Sequence, residues 1–224
     1  MTISTDPVLR DDLGGPPAPP AGAPADRRYG LLALTLAVVV GLLIGYVGGW
    51  LTPQLGAPGD NSPEAGFARD MSVHHAQAVE MGMIAFQSAA TPGVRIMGGD
   101  IATGQQAQIG IMQTWLKEWR LEPTGSEPAM AWMPEGVAAL RDGLMPGMAT
   151  PEQMAQLRAA RGTQVDVLFC ELMITHHLGG IHMVDGILDQ THDRRVVEIA
   201  EAMKATQQTD INNLTDLLAK AKAG

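Results

Sequence analysis

The chain of 224 residues is acidic, rich in methionine and poor in aromatic residues. Its formal net charge of −9 excludes a nucleic-acid binder that works by neutralising phosphate groups. A single cysteine, Cys170, excludes both an intramolecular disulfide framework and a zinc site built from several cysteines.

The N-terminal part of the chain is organised around one uncharged apolar segment. Residues 1–28 are rich in Gly, Pro and Ala, a composition that cannot bury apolar area, and we predict a disordered cytoplasmic tail. Residues 29–52 are predicted to form a transmembrane signal anchor, because about 22 apolar residues span the roughly 30 Å hydrocarbon core of a bilayer. Arg27 and Arg28 precede this segment, which by the positive-inside rule places the N-terminus in the cytoplasm.

The apolar segment permits more than one interpretation. A cleaved secretory signal competes with a retained anchor, although the apolar region of such a signal is normally about 7–15 residues long. Gly41 and Gly45 form a Gly-x-x-x-Gly pair that would support a homodimer, but glycine is frequent in membrane helices. Residues 53–62 are predicted to be a linker, and residues 63–224 an extracytoplasmic helical bundle.

Start signals and hydrophobic periodicity predict only helices after the linker. Ser62-Pro63-Glu64 has the pattern of an N-cap, a first-turn proline and an acid that matches the helix dipole. The same start signal recurs at Thr91-Pro92 and at Thr150-Pro151-Glu152. The predicted helices cover about residues 63–90, 92–120, 135–141, 151–161, 164–189 and 193–223.

The predicted bundle repeats its own sequence after 102 residues. Ten residues in the range 67–120 recur unchanged at that shift without a gap, and they include a His-His pair. This match indicates the duplication of a helical hairpin. Two such hairpins form an all-α four-helix bundle, with residues 121–161 as the connection between them. The ten pairs are Phe67/Phe169, Met71/Met173, His74/His176, His75/His177, Met81/Met183, Val94/Val196, Gln105/Gln207, Gln106/Gln208, Ile109/Ile211 and Leu116/Leu218.

Each copy carries the motif Met-x-x-His-His-x-x-small-x-x-Met. At 100° per residue the side chains of the motif fall within about 120° of one another on one face of a helix. If the duplicated hairpins pack with approximate two-fold symmetry, the two faces meet in the core. The predicted metal-ligating residues are Met71, His74, His75, Met81, Met173, His176, His177 and Met183.

Imidazole and thioether groups without thiolates are a donor set for copper. Thioether sulfur favours Cu(I), and imidazole binds both oxidation states of copper. Zinc prefers Cys, His and carboxylate ligands, Ca²⁺ and Mg²⁺ prefer oxygen, and a ferritin-type iron centre needs Glu-x-x-His pairs that this sequence lacks. We therefore predict Cu(I) as the bound ion, with silver as a chemical mimic. The alternative is that these residues only pack the core.

Other residues near the motif are weaker candidates. Asp70 and Asp166 precede the two His pairs and are predicted to orient imidazoles as hydrogen-bond acceptors, unless they are plain surface acids. Cys170 lies at the edge of the second motif, and its counterpart in the first copy is Ala68, which favours a small buried residue over a thiolate ligand. Methionines in the connection either shuttle Cu(I) or cover the end of the bundle.

The two motif copies resemble the family of domains of unknown function numbered 305. The resemblance rests on Asp70-Met-Ser-Val-His-His-Ala-Gln-Ala-Val-Glu-Met81 and Glu171-Leu-Met-Ile-Thr-His-His-Leu-Gly-Gly-Ile-His-Met183, and it covers about residues 60–222. It implies a ferritin-like four-helix bundle that is usually exported and that in some members binds copper or silver at the cell envelope. The ligand set that it implies is the eight His and Met residues of the two motifs. Leu172 stands in the second copy where the first has Asp70, so a site that relied on that acid would be asymmetric.

Three functional hypotheses follow. The first is a membrane-anchored extracytoplasmic protein that binds Cu(I), and silver as a mimic, for sequestration, buffering or delivery to a partner protein. The second is a copper-dependent oxidoreductase that uses the same residues. The third is a structural or interaction bundle without a metal. The sequence does not combine a nucleophile, a base and an orienting group, so we do not predict catalysis.

Overall fold

The computed structural model describes residues 27–51 and 56–223, which form two units, one holding the first helix and the other holding the rest. Within these ranges the chain is all-helical, which confirms the predicted fold class, and the predicted helix ends are correct to within about two residues for the long helices. The helices are α1 (Arg27–Leu51), α2 (Pro63–Ser88), α3 (Pro92–Glu118), α4 (Gly136–Ala139), α5 (Pro151–Ala159), α6 (Thr163–Leu188) and α7 (Arg194–Ala223).

Helix α1 is long and apolar enough to cross a membrane. Its segment Gly30–Gly49 has no charged residue, and none of its residues is buried. Helix α6 passes the same test of length and composition, but half of it is buried, as expected for the core helix of a folded domain. The predicted tail up to residue 26, the last residue of the predicted anchor, Thr52, and the linker residues 53–55 lie outside the described residues.

Capping residues determine where several helices begin. The hydroxyl of Ser62 accepts a hydrogen bond from the Ala65 N–H at 3.2 Å, and Pro63 is the first residue of α2, as predicted. Thr150 and Gln153 form a reciprocal capping box at the start of α5. Thr91 differs from the prediction, because its side chain makes no capping bond to α3.

The turn that leads into α3 is held instead by Asp166, which lies on α6. One carboxylate oxygen of Asp166 accepts from the Ala90 N–H at 2.9 Å, and the other accepts from the Thr91 N–H at 3.1 Å and the Thr91 hydroxyl at 2.6 Å. The side chain is fully buried. Asp166 therefore joins the second hairpin to the turn of the first, and these contacts correct the prediction that it orients an imidazole.

We expect Asp166→Ala to lower the free energy of unfolding by about 2 kcal/mol, because it leaves three partly buried donors without their acceptor. Chemical denaturation followed by circular dichroism measures this change. Asp185→Ala is the matched control on the same helix: its half-exposed carboxylate pairs with Lys204, and such a surface pair contributes at most about 1 kcal/mol. Equal losses in the two variants would contradict the role of Asp166 in holding this turn.

The helices pack as two hairpins, α2 with α3 and α6 with α7, and the hairpins meet mainly through α2 and α6. Glycines bring the helices of the first hairpin into close contact: a Cβ atom at Gly82 would lie 2.5 Å from the Gly98 carbonyl oxygen. Helices α3 and α7 touch each other much less than α2 and α6 do. The four long helices thus form a bundle with α2 and α6 at its centre.

Two apolar clusters fill this bundle. One contains Met71 and Met183, and the other contains Met81 and Met173. The first methionine of one motif therefore shares a cluster with the last methionine of the other, which means that α2 and α6 run in opposite directions. Since the His pairs lie between the two methionines of each motif, the histidines occupy the layer between the clusters.

Candidate metal centre

The two His-His pairs meet in the middle of the bundle. The ring centroids of His74 on α2 and His176 on α6 are 3.8 Å apart, with an angle of 35° between the ring planes. His75 and His177 flank this central pair, with centroids 6.5 Å and 6.3 Å from their own sequence neighbours. All four imidazoles are at most 1% exposed. The predicted meeting of the two motif faces is therefore present in the structure.

One nitrogen of each imidazole is hydrogen bonded to an oxygen acceptor. Carbonyl and carboxylate oxygens only accept hydrogen bonds, so a neutral ring carries its proton on the Nε2 atom that faces them. The Nδ1 atom then keeps its lone pair. The four Nε2 contacts are His74 to the Pro146 carbonyl (3.0 Å), His75 to Gln108 Oε1 (2.7 Å), His176 to the His74 carbonyl (3.0 Å) and His177 to Asp210 Oδ2 (3.1 Å).

The other nitrogen of each imidazole has no such partner. All four Nδ1 atoms are buried and make no hydrogen bond within the part of the chain that the structure describes. A buried polar atom without a partner typically costs about 1–3 kcal/mol, so four in one layer call for a physical reason. The lone pair of a neutral imidazole is a metal ligand, and a bound metal ion is such a reason.

Burial keeps three of these imidazoles in the form that binds metals. Desolvation is the main cause that lowers the pKa of His74 to about 4 and the pKa of His75 to about 3. The pKa of His176 lies well below its ordinary value, again mainly through burial and further through the neighbouring imidazoles. At neutral pH these three rings are therefore uncharged, and no proton competes for their lone pairs.

Two residues of the flanking helices orient the outer imidazoles. Gln108 of α3 holds His75, and Asp210 of α7 holds His177. Gln108 and Asp210 are themselves related by the shift of 102 residues, so the duplication extends to this layer of contacts. Sequence reasoning missed both residues, although they directly precede the repeated Ile109 and Ile211 and are polar at matching positions.

Asp70, the other predicted acceptor for an imidazole, has a different role. One of its carboxylate oxygens accepts from the Met130 N–H at 2.7 Å and from the Trp132 indole N–H at 2.8 Å. Burial raises the pKa of this carboxyl above its ordinary value, while the two hydrogen bonds oppose the shift. Asp70 therefore holds the connection against α2, which corrects the prediction that it orients a histidine.

The sulfur atoms of both motifs are also buried. Met71, Met81, Met173 and Met183 are all fully inaccessible to solvent. Cys170 shares the cluster of Met81 and Met173, and burial is the main cause that raises the pKa of its thiol to about 12. Cys170 is therefore a protonated thiol at neutral pH and not a thiolate ligand, in keeping with the interpretation as a small buried residue.

The donor set limits the kind of metal site that the bundle can form. In the described ranges, no three His, Cys, Asp or Glu side chains are arranged to hold one metal ion. A site at this layer would therefore combine imidazole nitrogen with methionine sulfur. A small number of soft ligands binds Cu(I) better than it binds ions that prefer carboxylate or water ligands.

The connection between the hairpins breaks the symmetry of this layer. His176 donates to the main chain of α2, whereas its counterpart His74 donates to Pro146 in the connection. The connection reaches this position because Gly179 of α6 lacks a side chain: a Cβ atom there would overlap the Pro146 carbonyl and lie 2.7 Å from the Gly147 nitrogen.

Comparisons with known proteins place this fold among related domains. A family model described as "Domain of unknown function (DUF305)" matches residues 64–218. A DUF305 protein from Streptomyces coelicolor, provisionally named a secreted protein, is 39% identical, with 73% of this chain and 96% of that chain covered and a TM-score of 0.67. A DUF305 fragment from Deinococcus radiodurans is 28% identical, with 70% and 96% covered and a TM-score of 0.59.

Two further solved structures share the fold at lower identity. CopM in its Cu(II)-bound form is 23% identical, with 71% of this chain and 97% of that chain covered and a TM-score of 0.55. CopM in its Cu(I)-bound form is 21% identical, with 71% and 96% covered and a TM-score of 0.53. No curated protein matches the chain significantly.

Proposed function

Since the chain belongs to the DUF305 family, we propose that it is a membrane-anchored extracytoplasmic protein that binds copper between its two helical hairpins. The observation that carries this proposal is the layer of four buried imidazoles whose Nδ1 atoms have no hydrogen-bond partner among the described residues. The fold that the chain shares with CopM supports it, because CopM was solved with Cu(I) and with Cu(II).

The proposed ligands are the His and Met side chains of the two motifs. The imidazoles of His74, His75, His176 and His177 supply nitrogen, and their low pKa values keep three of them neutral. The methionines on either side of this layer supply thioether sulfur, namely Met71, Met81, Met173 and Met183. Thioethers favour Cu(I), with silver as a chemical mimic, and imidazoles accept Cu(II) as well.

The proposed location follows from α1 and its flanking residues. An uncharged segment of 20 residues is long enough to span a bilayer, and Arg27 and Arg28 stand at its N-terminal end. The bundle then lies outside the cytoplasm, and the provisional name of the Streptomyces coelicolor relative is consistent with export. Outside the cytoplasm, thioethers have an advantage over thiols because they do not form disulfides. Sequestration, buffering and delivery to a partner protein would all use the same site.

The test is an anaerobic titration of residues 56–223 with Cu(I) against a competing chelator. This part has its own core and contains residues 64–218, which the family model matches. Replacing His74, His75, His176 and His177 by Ala should weaken copper binding more than about 100-fold. This loss exceeds the one expected when only the hydrogen-bond partners of metal ligands are removed. The control variant His182→Ala/His192→Ala removes two exposed imidazoles and should bind like the wild type.

Circular dichroism shows whether the fourfold variant keeps its helices. If it does not, the double variant His74→Leu/His176→Leu is titrated in its place, because leucine fills the space of each ring with apolar atoms. Equal and weak binding by the wild type and a folded variant would contradict the proposal. The bundle would then be a structural or interaction domain whose histidines only pack.

A further inference from the structure

A cavity of about 120 Å³ lies between α3 and α7, where the two flanking helices touch least. Asp100, Gln105 and Gln108 of α3 line it, together with Gln207 and Asp210 of α7. Two of these pairs, Gln105 with Gln207 and Gln108 with Asp210, are related by the internal duplication. The cavity therefore lies where the two equivalent halves of the bundle face each other.

The cavity shares part of its wall with the candidate metal centre. Gln108 and Asp210 are the side chains that hold the Nε2 atoms of His75 and His177, at 2.7 Å and 3.1 Å. A solute in the cavity is thus separated from the outer imidazoles by the side chains that orient them. All four imidazoles are otherwise buried, so an ion needs some path through the bundle to reach them.

Two amides at the cavity have polar atoms without a hydrogen-bond partner in the part of the chain that the structure describes. Gln105 and Gln207 are 5% and 3% exposed, and the Gln105 oxygen and both polar atoms of the Gln207 amide make no hydrogen bond to any described residue. The Gln207 amide lies against Gly180, one turn beyond the second His pair, where a Cβ atom would overlap its oxygen. Buried amides in this state retain their capacity to bind a polar solute.

The charge at the cavity selects for cations. Its described lining includes the carboxylates of Asp100 and Asp210 and no lysine or arginine. A negatively charged cleft raises the local concentration and the association rate of positive ions. Carboxylate and amide oxygens bind a hydrated divalent ion better than they bind soft Cu(I). The form of copper that matches this cavity is therefore hydrated Cu(II).

We infer that this cavity is the port through which hydrated Cu(II) reaches the imidazole layer. Gln105 and Gln207 replace part of the water around the ion, and Gln108 and Asp210 then release the Nε2 atoms of the outer histidines and admit it. This inference rests on the proposed function, because it concerns the loading of the same site. The port acts on the rate of loading, and the ligands set the affinity.

Stopped-flow mixing of residues 56–223 with Cu(II) sulfate tests the port. The variant Gln105→Leu/Gln207→Leu replaces the two free amides by apolar groups of similar size. We expect loading to slow by about 10-fold or more, because the leucines offer the ion no oxygen in place of the water that it loses. Release to a chelator should slow by the same factor, so that the equilibrium Kd stays unchanged.

The matched control is Gln106→Leu/Gln208→Leu, which alters the adjacent, exposed and equally duplicated glutamines. It should load like the wild type. A second variant, Asp100→Asn, changes only an exposed side chain at the cavity and should lower both the association rate and its dependence on salt. This variant keeps the inference testable if the double leucine variant does not fold.

Three results would overturn the inference. Wild-type loading rates in both Gln105→Leu/Gln207→Leu and Asp100→Asn would mean that copper enters elsewhere. A weaker Kd with an unchanged association rate would make the glutamines ligands and not a port. If the wild type takes up neither Cu(II) nor Cu(I) at equilibrium, both the proposed function and the port are refuted. If the wild type takes up copper and the variants load at the same rate, only the port is refuted.

Discussion

Gly179→Ala is expected to lower the free energy of unfolding of the bundle by about 3 kcal/mol. A Cβ atom at this position would overlap the carbonyl of Pro146 and lie 2.7 Å from the nitrogen of Gly147. Both are backbone groups, so neither can rotate away as the end of a flexible side chain would. The clash outweighs the gain of about 1 kcal/mol that alanine normally brings to a helix.

Urea denaturation measures this loss, and Gly110→Ala is the matched control. Gly110 lies in the middle of α3, and a Cβ atom there would have no neighbour within 4 Å, so the exchange should stabilise the domain by about 1 kcal/mol. The clash also displaces the Pro146 carbonyl that holds His74. Copper affinity should therefore fall in Gly179→Ala and stay unchanged in Gly110→Ala. If both variants gained stability, the close contact between the connection and α6 would be wrong.

Acidification from pH 7 to pH 5 is expected to destabilise the metal-free bundle by about 6 kcal/mol. His74, His75 and His176 have pKa values well below the ordinary value near 6.5, so the unfolded chain binds protons that the folded chain does not. Stability is therefore complete above about pH 6.5 and falls towards pH 4, by about 2 kcal/mol per imidazole between pH 7 and pH 5. Such a loss is comparable with the total stability of many domains.

Denaturation curves at the two pH values, in buffer freed of metal, give this difference. His75→Gln cannot take up a proton and should remove about a third of the pH dependence. His182→Ala/His192→Ala removes only exposed imidazoles and should leave it intact. Asp70, whose pKa is raised, acts in the opposite direction, but only nearer pH 4 where carboxyl groups titrate. Equal stability at pH 7 and pH 5 would show that the histidines are hydrated in the folded protein.

Local and repeated signals predicted most of the fold. The Ser62-Pro63 start signal and the capping residues at Thr150 act through neighbours in sequence, so they identify helix starts without knowledge of tertiary structure. The repeat after 102 residues predicted the two hairpins and the meeting of the His pairs. A duplicated helix buries the same face in both copies, so the motif residues were bound to face the core together.

Contacts between segments that are distant in the sequence could not be predicted from the sequence. Asp70 and Asp166 stand close to the His pairs along the chain, yet Asp70 bonds to the connection and Asp166 to the first hairpin turn. Periodicity gives the face of a helix on which a carboxylate lies, but not the segment that packs against that face. Gln108 and Asp210 were missed for the same reason, because they act from flanking helices across the bundle.

The hydrogen bond from His176 to the main-chain carbonyl of His74 has a mechanical consequence. It joins the centres of α2 and α6 and fixes their lengthwise register, which the methionine clusters on either side reinforce. Sliding by one turn, about 5.4 Å, would break this bond and separate both His pairs. Under the proposed function, copper is therefore taken up without axial sliding of the central helices. Entry through the cavity between α3 and α7 would then require these two outer helices to move apart sideways while the inner pair stays in place.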